Sequence, residues 1–190
     1  MERCPASFEV PLGGAARVEG EKMKVIFMDL NRCIYCRSCE VACEREHDRH
    51  THMSVVLLNE RYSVPMNCRH CEKSPCVVVC PTRALTRLGN GPVITETMKC
   101  IGCRLCAMVC PFGVPEFDSS SGVMRKCDQC IHRLNEGKAP ACVVTCPARA
   151  LTYDEVDTIM QKVKERAAKA IISGVGLEPG VLVRPPDSRH

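Results

Sequence analysis

Residues 100–111 have the sequence CIGCRLCAMVCP, which spaces four cysteines as C-x2-C-x2-C-x3-C and ends on a proline. Cysteines at the same or a related spacing occur in three other places, and we number the four groups in chain order. Motif one is Cys33, Cys36, Cys39 and Cys43; motif two is Cys68, Cys71, Cys76 and Cys80; motif three is Cys100, Cys103, Cys106 and Cys110; motif four is Cys127, Cys130, Cys142 and Cys146. Of the 17 cysteines, Cys4 alone stands outside these motifs.

The spacing has a direct chemical interpretation. Three cysteines two residues apart wrap a tight loop around three corners of a [4Fe–4S] cube, and a fourth, three residues further on, points away and ligates a different cluster. Motifs two, three and four end in Cys-Pro, where the proline, which cannot donate a backbone hydrogen bond, helps to turn the chain. Motif one has Glu44 in that place. The pattern predicts iron–sulfur clusters whose ligands cross between motifs.

Structural zinc is the alternative metal. Zinc sites commonly use two C-x2-C pairs, separated by a longer loop, around one tetrahedral ion. Motif four alone would fit this arrangement, because a long interval separates Cys130 from Cys142. Aromatic residues, at 4% of the chain, are too few for the base-stacking surface of a zinc-stabilised nucleic-acid-binding protein. We therefore expect iron–sulfur clusters and no nucleic-acid partner.

Composition favours a metal-filled interior. The 190 residues include no Trp, 3 Tyr and 4 Phe, so few bulky side chains are available for a core. The formal net charge of +4 assumes neutral thiols, and four oxidised cubanes would bring it to about −4. The basic balance is therefore no indication of nucleic-acid binding. The sequence shows no export signal and no apolar run that could span a bilayer, so we expect a cytoplasmic protein.

The segments between the cysteines predict an α+β fold of ferredoxin-like type. Residues 80–86 and 146–152 match at every position except Thr82 against Ala148, and each repeat leaves a cysteine-bearing helix for a short extended stretch. Further strands are expected at residues 25–30, 54–58 and 92–95. Short helices are expected at or after residues 39–43, 75–80, 106–110 and 141–146.

Four segments carry a resemblance to a known family: CIYCRSCEVACEREH, CRHCEKSPCVVVCPTRAL, CIGCRLCAMVCPFGV and KCDQCIHRL…PACVVTCPARAL. They resemble the four-cluster ferredoxin-type iron–sulfur subunits of the dimethyl sulfoxide reductase, formate hydrogenlyase and nitrite reductase systems. The resemblance covers residues 23–153. Within the family, the length, the missing export signal and the CRSCEVACEREH run look most like the iron–sulfur subunit that accompanies nickel carbon monoxide dehydrogenase.

The resemblance implies four [4Fe–4S] clusters, each held by three cysteines of one motif and one of another. The implied ligand sets are set one (Cys33, Cys36, Cys39 and Cys146), set two (Cys127, Cys130, Cys142 and Cys43), set three (Cys68, Cys71, Cys76 and Cys110) and set four (Cys100, Cys103, Cys106 and Cys80).

The resemblance also implies a domain organisation. Residues 23–153 would form tandem ferredoxin-like dicluster lobes, an inner lobe from about 64–115 and an outer lobe from 23–60 together with 123–153. Residues 1–22 are expected to be a flexible extension. Residues 154–174 have apolar side chains near helical spacing, which predicts an amphipathic helix, and residues 175–190 are expected to be a flexible tail.

The expected function is electron transfer and not catalysis, because the sequence contains no phosphate-binding glycine loop, dinucleotide fingerprint or nucleophile motif. The resemblance implies single-electron relay from a catalytic redox subunit, foremost carbon monoxide dehydrogenase, to an acceptor such as a membrane-associated hydrogenase. The alternative is the iron–sulfur subunit of a molybdenum or tungsten oxidoreductase such as formate dehydrogenase. Either partner would place the chain in the cytoplasm or peripherally at the inner membrane.

Three other features leave alternatives open. Arg32, Lys99 and Lys126 each precede the first cysteine of a motif, where a cation could raise a cluster's potential, although exposed loops carry charge in any case. Residues 46–52, with the sequence EHDRHTH, contain possible metal ligands, but their composition favours a solvated loop. The C-terminal helix could pack on its own chain or dock a partner.

Overall fold

The structure, a computed structural model, describes residues 24–172 except positions 61 and 90, with side chains as far as Lys169. The predicted extension and tail, together with Cys4, Met23 and Gly174, lie outside the described residues. The strands are β1 (Lys24–Met28), β2 (Ser54–Leu58), β3 (Tyr62–Met66), β4 (Leu85–Arg87), β5 (Val93–Thr95), β6 (Glu116–Asp118), β7 (Val123–Arg125) and β8 (Leu151–Glu155). The helices are α1 (Ser38–Glu46), α2 (Pro75–Val78), α3 (Leu105–Met108), α4 (Ile131–Asn135), α5 (Ala141–Thr145) and α6 (Val156–Ile172). The predicted α+β class is confirmed.

Pairing of the first strand with the last brings motif one beside motif four. β1 and β8 are antiparallel, with Met28 opposite Leu151 and Lys24 opposite Glu155. Helices α1 and α5, which carry Cys39, Cys43 and Cys142, pack against each other next to this sheet. Cysteines that are distant in sequence therefore become neighbours at this end of the molecule.

Motifs two and three meet in a similar way. The antiparallel hairpin of β4 and β5 pairs Leu85 with Thr95, and helices α2 and α3 pack against each other beside it. The hairpins β2–β3 and β6–β7 complete four two-stranded sheets among the described residues. In this arrangement α1, α2, α3 and α5 are short and each carries a motif cysteine, so these four helices serve to position sulfur atoms.

The hydrophobic core contains cysteines in place of large side chains. One buried cluster comprises Cys39, Cys43, Met53, Val55, Cys142 and Leu151. A second comprises Leu85, Val93, Cys106 and Met124. No buried member of either cluster is aromatic. Because sulfur-bearing residues belong to both clusters, bound metal would complete the packing there.

Helix α6 packs on its own chain. Ile159 is 4% exposed in the contact of α6 with β1 and β8, and Arg166 forms an ion pair with the buried Asp29. Met160, the next residue, is 49% exposed. Packing on its own chain, the first of the two alternatives for this helix, is thus confirmed by contacts of both its first half and its second half. Among the described helices none combines the length and the apolar character required to cross a bilayer.

Two predicted boundaries were wrong. The C-terminal helix begins at Val156 and not at residue 154, because Asp154 and Glu155 continue β8 and pair with Val25 and Lys24. The first strand ends at Met28 and not at residue 30, because the Asp29 carboxylate accepts a hydrogen bond from the Asn31 N–H and starts a 3-10 turn over Leu30–Arg32.

Candidate metal centres

All sixteen motif cysteines are described, and none of them forms a disulfide. Their exposure is uneven: Cys36 and Cys103 are exposed, while six others are buried. The buried cysteines are Cys39, Cys43, Cys106, Cys127, Cys130 and Cys142. Each exposed cysteine is the second of its motif, so motifs one and three each present one sulfur-bearing residue at the surface.

Two equivalent cavities each collect four cysteines. Cys33, Cys36, Cys39 and Cys146 line one cavity together with apolar side chains that include Val55 and Leu151. Cys80, Cys100, Cys103 and Cys106 line the other, together with Leu85 and Met124. The four residues in each case are those that the sequence resemblance grouped as sets one and four.

Among the remaining cysteines, several influence the pKa of one another, which indicates that they lie close together. The pKa of the Cys142 thiol is raised to about 12, chiefly by burial and in smaller part by the neighbouring thiolates of Cys130 and Cys43. Burial likewise raises the pKa of Cys76, with added contributions from Cys68 and Cys110. Three members each of sets two and three therefore lie close together. For Cys71 the described contacts involve its carbonyl oxygen, which accepts hydrogen bonds from Ser74 and Arg87.

The loops that carry the paired cysteines share one backbone conformation. The residue just before the second cysteine of each motif has positive φ: Tyr35 (57°), His70 (45°), Gly102 (66°) and Gln129 (65°). For residues other than glycine this left-handed conformation costs about 1–2 kcal/mol each. Four independent loops thus share one conformation at the same place, and three of them do so with a residue for which it is unfavourable, as expected where a loop must curve around a common object.

Backbone amides point at several of the sulfurs. The N–H of His52 donates to Cys43 Sγ and that of Ala150 to Cys146 Sγ, both at 3.2 Å. Longer amide contacts reach Cys100 from Met124 (3.4 Å) and Cys127 from Gln129 (3.4 Å). Donors of this kind stabilise a thiolate and not a neutral thiol. The chemistry of the donor set therefore fits metal-bound thiolates.

Burial opposes ionisation of these cysteines in the absence of metal. It raises the pKa of Cys39, Cys106 and Cys130 to about 11 and that of Cys127 well above its usual value. At neutral pH such thiols stay protonated, so iron must displace their protons when it binds. The curved loops, the aimed amides and the apolar cavities together fit [4Fe–4S] clusters.

Of the three basic residues that precede a motif, Lys126 alone is buried, with 6% exposure. Its Nζ donates hydrogen bonds to the carbonyl oxygens of Val93 and of Cys127. Its positive charge opposes the effect of burial on the pKa of both Cys76 and Cys127. Arg32 and Lys99 are exposed, as charged residues in loops usually are. The buried position of Lys126 is not explained in that way.

The predicted solvated loop at residues 46–52 was wrong in part. Asp48, Arg49 and Thr51 are exposed, but His47 and His52 are half-buried. The rings of His47 and His52 make an edge contact with centroids 4.9 Å apart, and His47 Nε2 lies 3.5 Å from Cys130 Sγ. The sequence did not predict this contact, because Cys130 belongs to another motif; the one signal present is Glu44 in place of the proline that ends the other motifs.

The fold and the cysteine-lined cavities define an iron–sulfur protein. A family model for the 4Fe-4S dicluster domain matches residues 59–156, which contain motifs two, three and four. The protein belongs to that family of iron–sulfur proteins, and its cofactors are four [4Fe–4S] clusters.

The relatives are subunits of larger oxidoreductases. One of them, from the anaerobic dimethyl sulfoxide reductase of Escherichia coli K12, is 34% identical over 178 residues, which cover 84% of this chain and 87% of the relative. The thiosulfate reductase electron transfer subunit PhsB of Salmonella typhi is 39% identical over 146 residues, covering 70% and 76%. A third, from the sulfite dehydrogenase of Allochromatium vinosum, is 30% identical over 190 residues, covering 81% and 79%. The expected membership and electron-transfer role are confirmed.

Proposed function

We propose that this chain relays single electrons along a line of four clusters between a catalytic subunit and an acceptor. The observation that carries the proposal is the order in which the cysteines neighbour one another. Beyond the effect of burial, the pKa of Cys142 is raised by Cys39, that of Cys127 by Cys68 and that of Cys106 by Cys76. These three electrostatic interactions run between set one and set two, between set two and set three, and between set three and set four.

The exposed cysteines lie at the two ends of this series. Cys36 belongs to set one and Cys103 to set four, and both are exposed. Apolar side chains stand beside each: Ile34 is 65% exposed and Ile101 is 66% exposed. Partners that exchange electrons need close approach to a cluster, so these two ends are the proposed points of entry and exit.

The bound clusters supply one-electron redox chemistry, and the chain's own residues supply their setting. The motif cysteines fix the positions, amides such as those of His52 and Ala150 donate to the sulfurs, and Val55, Leu151, Leu85 and Met124 keep water from the cavities. Lys126 adds a buried positive charge between sets two and three. A positive charge at this place stabilises the reduced, more negative state.

We assign the ligands as the sequence resemblance implies: Cys33, Cys36, Cys39 and Cys146; Cys127, Cys130, Cys142 and Cys43; Cys68, Cys71, Cys76 and Cys110; Cys100, Cys103, Cys106 and Cys80. The two four-cysteine cavities support the first and last sets. The packing of α1 on α5 and of α2 on α3 supports the division into an outer and an inner lobe.

A cysteine series tests the crossed ligation. Cys43→Ser should alter the same cluster as Cys142→Ser, and Cys36→Ser should alter a different one, as followed by electron paramagnetic resonance of the anaerobically reduced protein. Cys4→Ser, which changes a cysteine outside the motifs, is the control and should leave all four signals intact. If Cys43→Ser and Cys36→Ser affected the same signal, the assignment would be wrong.

For the catalytic partner, the names of the relatives favour the predicted alternative, a molybdenum or tungsten oxidoreductase. Dimethyl sulfoxide reductase, thiosulfate reductase and sulfite dehydrogenase are the systems named. The expected pairing with carbon monoxide dehydrogenase and a membrane-associated hydrogenase stays a prediction, as do the cytoplasmic location and the peripheral attachment.

Anaerobic purification of the tagged chain with its native partners tests this choice. We expect a co-purifying catalytic subunit that contains molybdenum or tungsten and reduces the clusters, or is reduced by them, within one turnover. A co-purifying nickel protein that reduces the clusters with electrons from carbon monoxide would instead identify carbon monoxide dehydrogenase as the partner. A chain that exchanges no electrons with any co-purified subunit would contradict the electron-relay proposal itself.

A further inference from the structure

The residue after the last cysteine distinguishes motif one from the other motifs. Glu44 stands where motifs two, three and four have proline, and it has the backbone N–H that a helix requires. Helix α1 therefore runs through Cys43 to Glu46, whereas α2 and α3 end at Val78 and Met108, before the last cysteines of their motifs. The extra turn of α1 projects beyond Cys43 toward motif four.

A charged contact fixes this extra turn against α4. The Glu46 carboxylate accepts hydrogen bonds from His132 Nε2 at 2.8 Å and from Arg133 Nη1 at 3.1 Å. Both donors hold the pKa of Glu46 below its usual value, His132 more strongly. Because Arg133 also donates to the Ala139 carbonyl oxygen at 3.0 Å, the end of α1 is tied to the segment between Cys130 and Cys142.

The next residue, His47, reaches the sulfur of Cys130. Its Nε2 lies 3.5 Å from Cys130 Sγ, and its side chain is only 12% exposed. The same Nε2 is 3.6 Å from Asp128 Oδ1, which is too far for a hydrogen bond to oxygen, and that oxygen already accepts the Cys130 N–H at 2.8 Å. Sulfur is the larger atom, so Cys130 Sγ is the acceptor that the geometry leaves for His47.

Neighbouring rings hold the imidazole in this orientation. His52 packs edge-on against His47 with centroids 4.9 Å apart, and His132 does so at 5.6 Å. The ring therefore has little freedom to turn away from the sulfur. A metal-bound thiolate carries no proton, so a hydrogen bond between the two groups must be donated by the imidazole.

We propose that His47 donates an Nε2–H hydrogen bond to the Cys130 thiolate and thereby raises the reduction potential of the cluster that Cys130 ligates. Hydrogen bonds to cluster sulfur stabilise the reduced, more negative state. His47 is a positioning residue that acts through Cys130 and sets the potential at one point of the electron path. The inference rests on the proposed ligand set two, and it gives a reason for the missing proline of motif one.

The test is a potentiometric titration of the full chain, anaerobic and fully loaded, followed by electron paramagnetic resonance. His47→Phe keeps a flat ring but removes the donor, and it should shift the midpoint potential of one cluster to a more negative value while the other three stay unchanged. His47→Gln retains an N–H donor and should restore part of the shift. The matched control is His50→Phe, which changes an imidazole of the same loop that is 38% exposed and whose Nε2 lies 4.0 Å from Asp118 Oδ2, and it should leave all four potentials unchanged.

Unchanged potentials in His47→Phe, or an equal shift in His50→Phe, would overturn the proposal. Should His47→Phe fail to load its clusters, wild-type protein with histidine ¹⁵N-labelled only in the ring gives a second test, because the backbone amide of His52 also contacts a motif sulfur. Pulsed resonance of the reduced protein should detect one imidazole nitrogen coupled to a cluster. Absence of that coupling would also overturn it. Cys130→Ser distinguishes an error in the proposed ligand set from an error in the role of His47. If all four clusters are unaltered in Cys130→Ser, the ligand set is wrong. If one cluster changes in Cys130→Ser while His47→Phe has no effect, only the role of His47 is wrong.

Discussion

At the scale of single residues, the cysteine loops combine strained backbone with donors aimed at sulfur. Tyr35, His70 and Gln129 keep positive φ although each has a side chain, and each such residue costs about 1–2 kcal/mol. Metal binding offsets this cost, because the free energy of binding to a site formed only on folding adds to the stability of the fold. The loops are therefore shaped for the loaded protein.

Gly102 is the loop residue for which glycine is required. Its φ is +66°, and a Cβ there would meet the carbonyl oxygen of Gly122 and the ring of Phe117. Gly113 has a similar φ of +61° but open space around the same position. We expect Gly113→Ala to cost about 1–2 kcal/mol, the strain of a left-handed alanine, and Gly102→Ala to cost clearly more and to lower iron content. Thermal midpoints and iron analysis of both variants check this, and equal effects would show that the contact with Gly122 is unimportant.

Lys126 should influence the potentials of the clusters nearest to it. Lys126→Gln keeps a hydrogen-bond donor for the carbonyl oxygens of Val93 and Cys127 but removes the buried charge, so the reduced state loses stabilisation and the midpoint potential should fall. Lys99→Gln is the matched control, because Lys99 holds the same place before motif three but is exposed and paired with Glu96 at 2.7 Å. Redox titration of both proteins measures the difference. A fall of the same size in the control would refute a special role for Lys126.

At the scale of helices and strands, local signals were sufficient for some elements and insufficient for others. The strand Ser54–Leu58 was predicted with its bounds, and helices were expected where α1, α2, α3 and α5 occur, because β-branched runs and cysteine spacing are local features. The hairpin of β6 and β7 was missed. Its turn signal, DSSSG at residues 118–122, is present, and the Asp118 carboxylate accepts hydrogen bonds from Ser120, Ser121 and Arg125.

Long-range contacts could not be predicted in the same way. The burial of Lys126 depends on the position of Val93, and the contact of His47 with Cys130 depends on how far α1 continues. The sequence does contain the cause of the second, since Glu44 replaces proline. The direction in which the extra turn points, however, follows from the packing of α1 on α5.

The packing of α6 on its own chain leads to a direct stability test. Ile159 is 4% exposed, so Ile159→Ala should lower the free energy of unfolding by about 2–5 kcal/mol through lost burial and a cavity. Its neighbour Met160 is 49% exposed, and Met160→Ala should change that free energy by only about 0.5 kcal/mol. Anaerobic thermal unfolding of the loaded variants compares them. If both substitutions had the same small effect, α6 would not be held by this contact.

At the scale of the whole molecule, the clusters account for features of the chain that are unusual for its size. With no Trp and seven other aromatic residues, 3 Tyr and 4 Phe, the chain has little material for an ordinary core, and cysteines belong to both buried clusters. Four oxidised cubanes would also change the formal charge from +4 to about −4. The loaded protein would therefore meet its partners with a net negative charge, although its amino acids alone suggest a net positive one.

The amount of iron and acid-labile sulfide per chain tests the central claim most directly. Sixteen cysteines arranged as four complete sets predict about 16 iron and about 16 sulfide in protein purified without oxygen, with zinc far below one atom per chain. Stoichiometric zinc, or iron at about half that value in freshly purified, undamaged protein, would contradict four [4Fe–4S] clusters and with them the electron path proposed for this chain.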